Sequence, residues 1–535
     1  MAILVQGIEG CKCRRKSERV GARLLLMFNS NTTEKTIEGD LFNAFVEAGA
    51  ISKANATDPK KSALVRCART DKGVHAAGNV ISLKLIIEDK DIIEKINSHL
   101  SPQIRVWGIE RTVNSFSCYQ ACDSRWYEYL IPTHSFLPPH PSSFLGRKLV
   151  QHAQEAGDEE GYKKRQEEVA NFWEETEEKH IKPILDTLQE PIKSLVMRAL
   201  YEDEVEEHLT ESAEPQACNK APEEKPEVST TAANQPDMVV QKVEVPETEA
   251  AANTATSNGE ADGKPESEAK IEDVDKVEAP EESSSELEHK KNLEATIKQI
   301  RTAYSTAKRA WRISNARKDR VAEALKPFLG TRNYHNFTVE KTFGDASSKR
   351  HIKSFTLRPE PIIINGTEWL SIKIHGQSFM MHQIRKMISM IALTVRCGCP
   401  PERILEAFGQ TTISIPKVPG LGLLLERPVF DSYNEGAATK FERGKIDFGK
   451  YEKELEEFKQ KEIYERIFRE EADGNAFNTF FAHVDSFREA QFLYLTSKGL
   501  DAIKGLATTR GKGKQDVPKS SGVDSEDEGG NAGDS

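Results

Sequence analysis

The chain has 535 residues, a formal net charge of −11 at neutral pH, 37% hydrophobic residues and only 7% aromatic residues. At roughly 150 residues per domain the length allows for about three or four units, but folded domains run to about 45–50% apolar residues, so part of this chain is expected not to pack. An evenly spread negative charge would exclude a nucleic-acid partner, so what matters is where the charge lies.

The first 34 residues begin MAILVQGIEG and carry Arg14, Arg15 and Lys16 ahead of the apolar run Leu24–Phe28. That run is too short for a secretory leader and lacks a small-residue cleavage site. Ile37, Leu41, Phe45 and Ala48 recur at helical spacing, with Gly49 as a stop, which predicts a helix over 36–48. Leu64–Cys67 reads as a short strand entering a loop, and Val80–Ile87 as a strand with Ile81, Leu83 and Leu85 on one side. Asp91–Leu100 is amphipathic, and strands are expected over Ile104–Val113 and Arg125–Ile131. Helices and strands in short alternation make an α+β half.

Residues 160–200 have a charged helical pattern. From 201 to 290 there are 26 acidic residues against 7 Lys, and Tyr201 is the only aromatic. Such a stretch cannot bury enough apolar surface to offset the entropy of ordering it, so a long disordered acidic insert is expected. The last 20 residues, 516–535, carry 6 acidic residues and one Lys, which leaves the rest of the chain at +13. Ala295–Ala324 returns to a basic helical pattern, with the strongest run of cations at 301–320. Strand candidates follow at Ser354–Leu357, Pro361–Ile364 and Trp369–His375. Met380–Arg396 reads as a long apolar helix, Glu402–Phe408 as a short one, Leu421–Glu426 as a last strand and Lys450–Glu471 as a charged helix packing on the core. No run of 18 apolar residues predicts a membrane span. Eight cysteines in no framework suit a reducing compartment, and none has the spacing of a structural zinc site.

The segment RCARTDKGVHAAGNV (66–80) carries the chemistry. Asp71 lies beside Arg69 and Lys72, and a carboxylate next to cations stays ionised, which suits a nucleophile or an electrostatic stabiliser rather than a general acid. A turn aspartate capping Gly73 is the plainer reading of the same residues. ARTDKGVHA (68–76) closely resembles the catalytic R-T-D-x-G-V-H-A loop of the TruA-type pseudouridine synthases, and further segments resemble the eukaryotic, fungal branch in order along the chain. They are KTIEGDLFNAF (35–45), SRWYEYLIPT (124–133), GTRNYHNFT (330–338) and SFMMHQIRKMI (378–388). Together they cover about 35–150 and 300–430.

The resemblance implies an isomerase that breaks the glycosidic bond of a uridine, turns the base and rejoins it through C5. By the match Asp71 is the catalytic aspartate, Tyr127 stacks on the target base, Arg385 pairs with the aspartate and Arg69 lies near the flipped nucleotide. Tyr129, two residues on, reads as core. His75 and His382 are expected to pack or hydrogen-bond, and Phe379 and Met380 to wall the pocket. The implied fold is α+β, two similar halves with antiparallel sheets joined into one continuous sheet around a central basic cleft. The expected divisions are 1–34 as an atypical N-terminal segment, 35–150 and 296–430 as the catalytic halves, and 151–295 as charged helix plus disordered insert. A helical extension at 431–507 and a disordered tail at 508–535 complete the chain.

The implied substrates are tRNA and precursor tRNA, in and around the anticodon stem, with small nuclear RNA and messenger RNA also modified. The chemistry needs no cofactor. Members of the fungal branch are described as zinc-containing, so the resemblance brings in zinc, without a visible ligand set. It also implies a monomer in the nucleus, for which the basic runs at 11–16 and 510–514 are candidate import signals. The cations at 60–72, 301–320 and 341–353 are candidate phosphate readers, a solvated helix face being the alternative for 301–320. One departure stands out. The family's Y-x-G-x-x-Y-x-G-x-Q segment before KTIEG is absent, so the first strand is expected to be missing, with a sheet edge exposed. That departure keeps open a second reading, an inactive RNA-binding protein on the same fold. A carboxylate-dependent glycosidase would need a second catalytic carboxylate, and the motifs hold none.

Overall fold

The computed structural model describes residues 2–7, 36–71, 73–190, 192–201 and 284–504. Residues 1–201 and 295–535 form one compact unit and 202–294 a second. The acidic insert up to residue 283, the apolar run Leu24–Phe28, both basic runs and the tail lie outside the described residues.

Ten strands form one mixed sheet. They are β1 (Ala2–Gly7), β2 (Val65–Arg66), β3 (His75–Ser82), β4 (Ile104–Glu110), β5 (Ser124–Pro132), β6 (Gly330–Asn333), β7 (Lys349–Leu357), β8 (Ile362–Ile364), β9 (Thr367–Gly376) and β10 (Leu423–Val429). The order is β4-β1-β3-β10-β5-β9-β7-β6, with β2 on β3 and β8 on β9. Every pairing is antiparallel except β3 with β10.

The expectation of a missing first strand is overturned. Ala2–Gly7 pairs with Ser82–Ala76 of β3 on one side and Glu110–Ile104 of β4 on the other. The physical reason is the unbroken apolar run AILV closed by Gly7, the pattern of a strand inside a sheet, which needs no glycine–tyrosine signature. β3 therefore has a neighbour on each side and presents no open edge there.

Helices α1 (Ile37–Glu47) and α2 (Ile92–Ser98) form where the periodicity places them. The Thr36 hydroxyl accepts from the Gly39 amide at 3.0 Å to cap α1. Leu41, Phe45, Ile92 and Ile96 then pack with Ile81, Leu83, Ile104 and Val106. Val80, one residue from Ile81, belongs to a different cluster with Cys67, Cys118, Phe430 and Phe448. Both sides of β3 are thus covered, and this strand starts five residues earlier than the alternation suggests, at His75.

Helix α3 (Phe144–Glu155) was not legible as a separate element; its N-cap is Ser143. The basic stretch divides into α4 (Ser284–Ala310) and α5 (Asn315–Leu325), with Ser314 capping α5. α4 begins inside the stretch expected to be disordered. The long apolar helix is α6 (Gln383–Arg396), and Met387, Ile388 and Ile391 pack in one core with Tyr127, Ile372 and Ile374. α7 (Glu402–Glu406) follows. The charged C-terminal helix is α8 (Glu452–Phe458) and α9 (Glu465–Gly474), joined through a π-helical segment at Lys459–Tyr464, and α10 (Ala476–Ser486) ends it. Phe458, Ile463 and Ile467 join the main core, so this extension packs on the body as its apolar spacing predicts.

Register defines two rows across the middle of the sheet. One runs Ala76, Leu425, Tyr127, Ile374 and Phe355, and the other His75, Leu424, Glu128, Lys373 and Thr356. Neighbouring residues of a strand face opposite ways, so Tyr127 and Glu128 lie on opposite faces. Glu128 is buried, accepts hydrogen bonds from Ser371 and from Tyr464 Oη (2.7 Å), and has Lys459 Nζ at 3.8 Å. This network pins the π-helical segment to the strand carrying Tyr127. Removing the hydroxyl with Tyr464→Phe leaves a buried carboxylate oxygen short of a donor. It is expected to lower stability by about 1–3 kcal/mol, read by thermal melting.

Candidate active site

The site is built on the loop between β2 and β3. Gly73 has φ +78°, and the Val74 amide bonds the Asp71 carbonyl at 3.1 Å, closing a tight turn that leaves the Asp71 side chain beside the start of α6. A residue with a Cβ would be strained at that φ. The loop stem is tied down by Asn79, whose amide donates to the Ala68 carbonyl (3.1 Å), and by Arg125, whose guanidinium donates to the Cys67 carbonyl (2.9 Å).

Asp71 meets His382, with Nδ1 of the imidazole 3.1 Å from Oδ2 of the carboxylate. The aspartate side chain is 32% exposed and the histidine side chain 5%. Burial raises the Asp71 carboxyl. The hydrogen bond and charge of His382, followed by the charges of Arg385 and Lys417, outweigh it and hold the group below the usual carboxylate range. An ionised carboxylate only accepts hydrogen bonds, so His382 Nδ1 carries the proton.

Arg385 lies in the first turn of α6, buried, with Nε donating to the Val418 carbonyl at 2.7 Å. That bond brings the loop preceding β10 against α6, and Arg385 adds a fixed positive charge to the Asp71 environment. Tyr127 is buried, and its ring meets Phe379 edge-on at 5.2 Å and 80°. Phe379 lies over Gly376, where an added Cβ would come within 2.6 Å of the ring, so this glycine makes room for the aromatic wall. Met380 is half-buried against the same core, its amide donating to the Gln383 side chain at 2.9 Å.

Asp71, Arg385, Tyr127, Phe379 and Met380 therefore gather around the first turn of α6. Arg69 is exposed, and its charge reaches Glu38 of α1, which is gripped by Arg66 at 2.6 and 2.8 Å. His75 belongs to the opposite face, in the Glu128 row. It is fully buried there, neither ring nitrogen has a hydrogen-bond partner among the described residues, and burial with the Arg466 charge pushes its pKa down to about 3. It packs as a neutral ring. Tyr129 is core, its hydroxyl donating to the Pro419 carbonyl at 2.6 Å.

His382 hydrogen-bonds, as the sequence reading allows, and Lys417 is the participant that reading does not contain. His382 was legible as a motif member but not as the aspartate's partner. Lys417 lies in a loop with no motif around it. The cations of 301–320 prove to be largely structural. Arg317 is fully buried, Lys308 donates to Asn478 (2.7 Å) and lies 5.3 Å from the Trp173 ring centroid, and Arg309 and Arg312 bond the carbonyls of Ala472 and Gly366 at 3.0 Å each.

Among the described residues no group of three or more His, Cys, Asp or Glu side chains is set to hold a metal ion. Cys67 and Cys122 are free thiols that hydrogen-bond each other, and Cys118 Sγ donates to the Val65 carbonyl at 3.1 Å, so these cysteines do not fit a zinc site. Among the same residues no helix is long and apolar enough to cross a membrane.

The site thus holds an ionised aspartate in a basic setting beside a buried tyrosine, and comparison with known proteins gives the family. The family described as tRNA pseudouridine synthase matches residues 324–431. The tRNA pseudouridine synthase 1 of Schizosaccharomyces pombe is 43% identical over 478 residues, 88% of this chain and 82% of that protein. The protein of the same name from Yarrowia lipolytica is 41% identical over 472 residues, 88% of this chain and 74% of its own. The tRNA pseudouridine(27/28) synthase of Saccharomyces cerevisiae is 30% identical over 405 residues, 76% and 80% of the two chains. The chain belongs to the tRNA pseudouridine synthase family, and it is an isomerase.

Proposed function

We propose that this protein converts uridine to pseudouridine in tRNA, precursor tRNA included, with Asp71 acting on a uridine flipped out of the RNA. The observation that carries this reading is the ionised Asp71 carboxylate held against His382, with Arg385 and Lys417 adding positive charge. In the reaction the C1′–N1 bond breaks, the base turns, C1′ bonds C5, and the proton leaves C5 while N1 gains one. An ionised carboxylate has no proton to give, so Asp71 serves as nucleophile or base. The face of Tyr127 supports stacking of the extruded base, with Phe379 as the side wall.

The targets we infer are uridines in the anticodon-stem region, with small nuclear and messenger RNA as further substrates. The name of the Saccharomyces cerevisiae relative, which specifies positions 27/28, supports the first of these. Arg69 and the exposed part of the basic body would form the walls of a basic cleft, reading phosphates without reading sequence. A monomer working in the nucleus completes the reading. With β1 paired to β3 and β4, a missing first strand no longer favours an inactive RNA-binder. The test is tritium release from precursor tRNA containing C5-tritiated uridine. Release by the wild type and none by Asp71→Ala supports the proposal; release by neither, with RNA still bound, overturns it.

A further inference from the structure

We propose that His382 is a positioning residue for Asp71, its protonated Nδ1 fixing the catalytic carboxylate in the orientation that meets the substrate. This rests on the reading of Asp71 as the catalytic group. Three observations carry it.

The first is backbone strain placed where the ring needs it. His382 has φ +57° and ψ +2°, a left-handed conformation that is unfavourable for a residue with a Cβ. Such strain persists only where the surroundings impose it, and here they do. Thr338 Oγ1 donates to the Met381 carbonyl (3.0 Å), Lys386 Nζ donates to the Thr338 carbonyl (3.0 Å), and the Met380 amide is held by Gln383 (2.9 Å). The turn before α6 is thereby locked on both sides of His382.

The second is what the side chain forgoes. His382 occupies the N-cap position, where a side chain ordinarily accepts from the first amides of the helix, and it makes no such bond. It is turned to Asp71 instead, 3.1 Å away. The third is the difference in burial. The imidazole is 5% exposed and the carboxylate 32%, so the ring backs the carboxylate from inside while the acid keeps a side open to solvent. Arg385 supplies charge from the same turn, but its Nε is committed to the Val418 carbonyl.

A positioning role and a proton-transfer role separate cleanly. Asparagine tolerates left-handed backbone and carries an N–H donor at the same branch point as Nδ1, yet it cannot titrate. Glycine accepts the backbone and removes the donor. With tritium release from precursor tRNA as the readout, His382→Asn is expected to keep kcat within about threefold of wild type. His382→Gly is expected to lose about 10- to 100-fold in kcat, the range for a hydrogen bond to a charged group, with KM for RNA unchanged. The acid limb of its pH–rate profile should move to higher pH, because Asp71 then holds its proton more tightly. Wild-type kcat and an unmoved acid limb in His382→Gly overturn the proposal. So does a His382→Asn variant as inactive as His382→Gly, which would make the ring a proton carrier. If His382→Gly melts below the assay temperature, the His382→Asn result decides alone. Asp71→Ala is assayed in parallel. If it still releases tritium, the reading of Asp71 fails; if it is inactive while His382→Gly behaves as wild type, only the positioning role fails.

Discussion

Asp71→Asn is expected to reduce tritium release by on the order of 10³-fold or more, as removal of a reacting group does in other enzymes. The melting temperature should stay within a few degrees of wild type. The two side chains have the same shape, and the asparagine carbonyl still accepts from His382 Nδ1, so the loop keeps its anchor. What is lost is the charge and the reacting oxygen. Because the side chain is about a third exposed (32%), leaving Arg385 and Lys417 without an anion is partly offset by water. The pH dependence follows from the same environment. The folded Asp71 carboxyl lies below its ordinary value, so the group contributes stability above the unfolded-state value and loses it as pH falls through the folded one. The wild-type rate should accordingly hold through the ordinary carboxylate range and fall only below it. The asparagine variant should stay inactive at every pH. A wild-type acid limb within the ordinary carboxylate range would show that His382 and the two cations do not act on Asp71 as the geometry requires.

Much of this site is legible in the linear sequence because its motifs are short and contiguous. ARTDKGVHA supplies Asp71 and Gly73, RWYEYL supplies Tyr127, and HQIRKM supplies Arg385. What is not legible is which way each side chain turns. HQIRKM places His382 and Arg385 three residues apart, but the left-handed backbone at His382, from which its ring meets Asp71, is not readable from that spacing. In GVHA the histidine looks like part of the loop, yet His75 is the first residue of β3, and strand parity sends it to the opposite face from Tyr127. The segment AILVQG lacks the family's glycine–tyrosine motif, yet its apolar run is enough to make it a strand. The basic helix was judged by counting cations. Arg317, Val321, Ala324 and Leu325 recur at the spacing of one buried helix face, so the pattern itself held the sign that Arg317 points inward.

That inward arginine carries the largest stability effect expected here. The Arg317 guanidinium donates to the Phe136 carbonyl from Nε and Nη2 (2.8 and 2.6 Å), to the Val395 carbonyl (3.2 Å), to Gln166 (3.2 Å) and to Glu168 (3.2 Å). One side chain thus joins the end of the segment after β5, the helices around residue 166, α5 and the last turn of α6. Its own burial lowers its pKa to about 10, still far above neutral, so it is a permanent cation whose desolvation is met by four acceptors. Arg317→Met keeps much of the volume, leaves the Phe136 and Val395 carbonyls without this donor and leaves Glu168 to Arg320 at 3.4 Å. Breaking a buried pair from one side costs about 3–5 kcal/mol, enough to lower the melting temperature by many degrees and to thin the folded population at 37 °C. A phosphate-reading arginine would behave differently. Its loss would spare the fold and reduce the slope of log affinity against log salt by about one. For Arg317→Met the reverse is expected, a large drop in melting temperature with the salt slope of the folded fraction unchanged. Cations that the fold leaves in solvent, such as Arg69, remain the candidates for phosphate contact, and their loss is expected to lower the salt slope and spare the melting temperature.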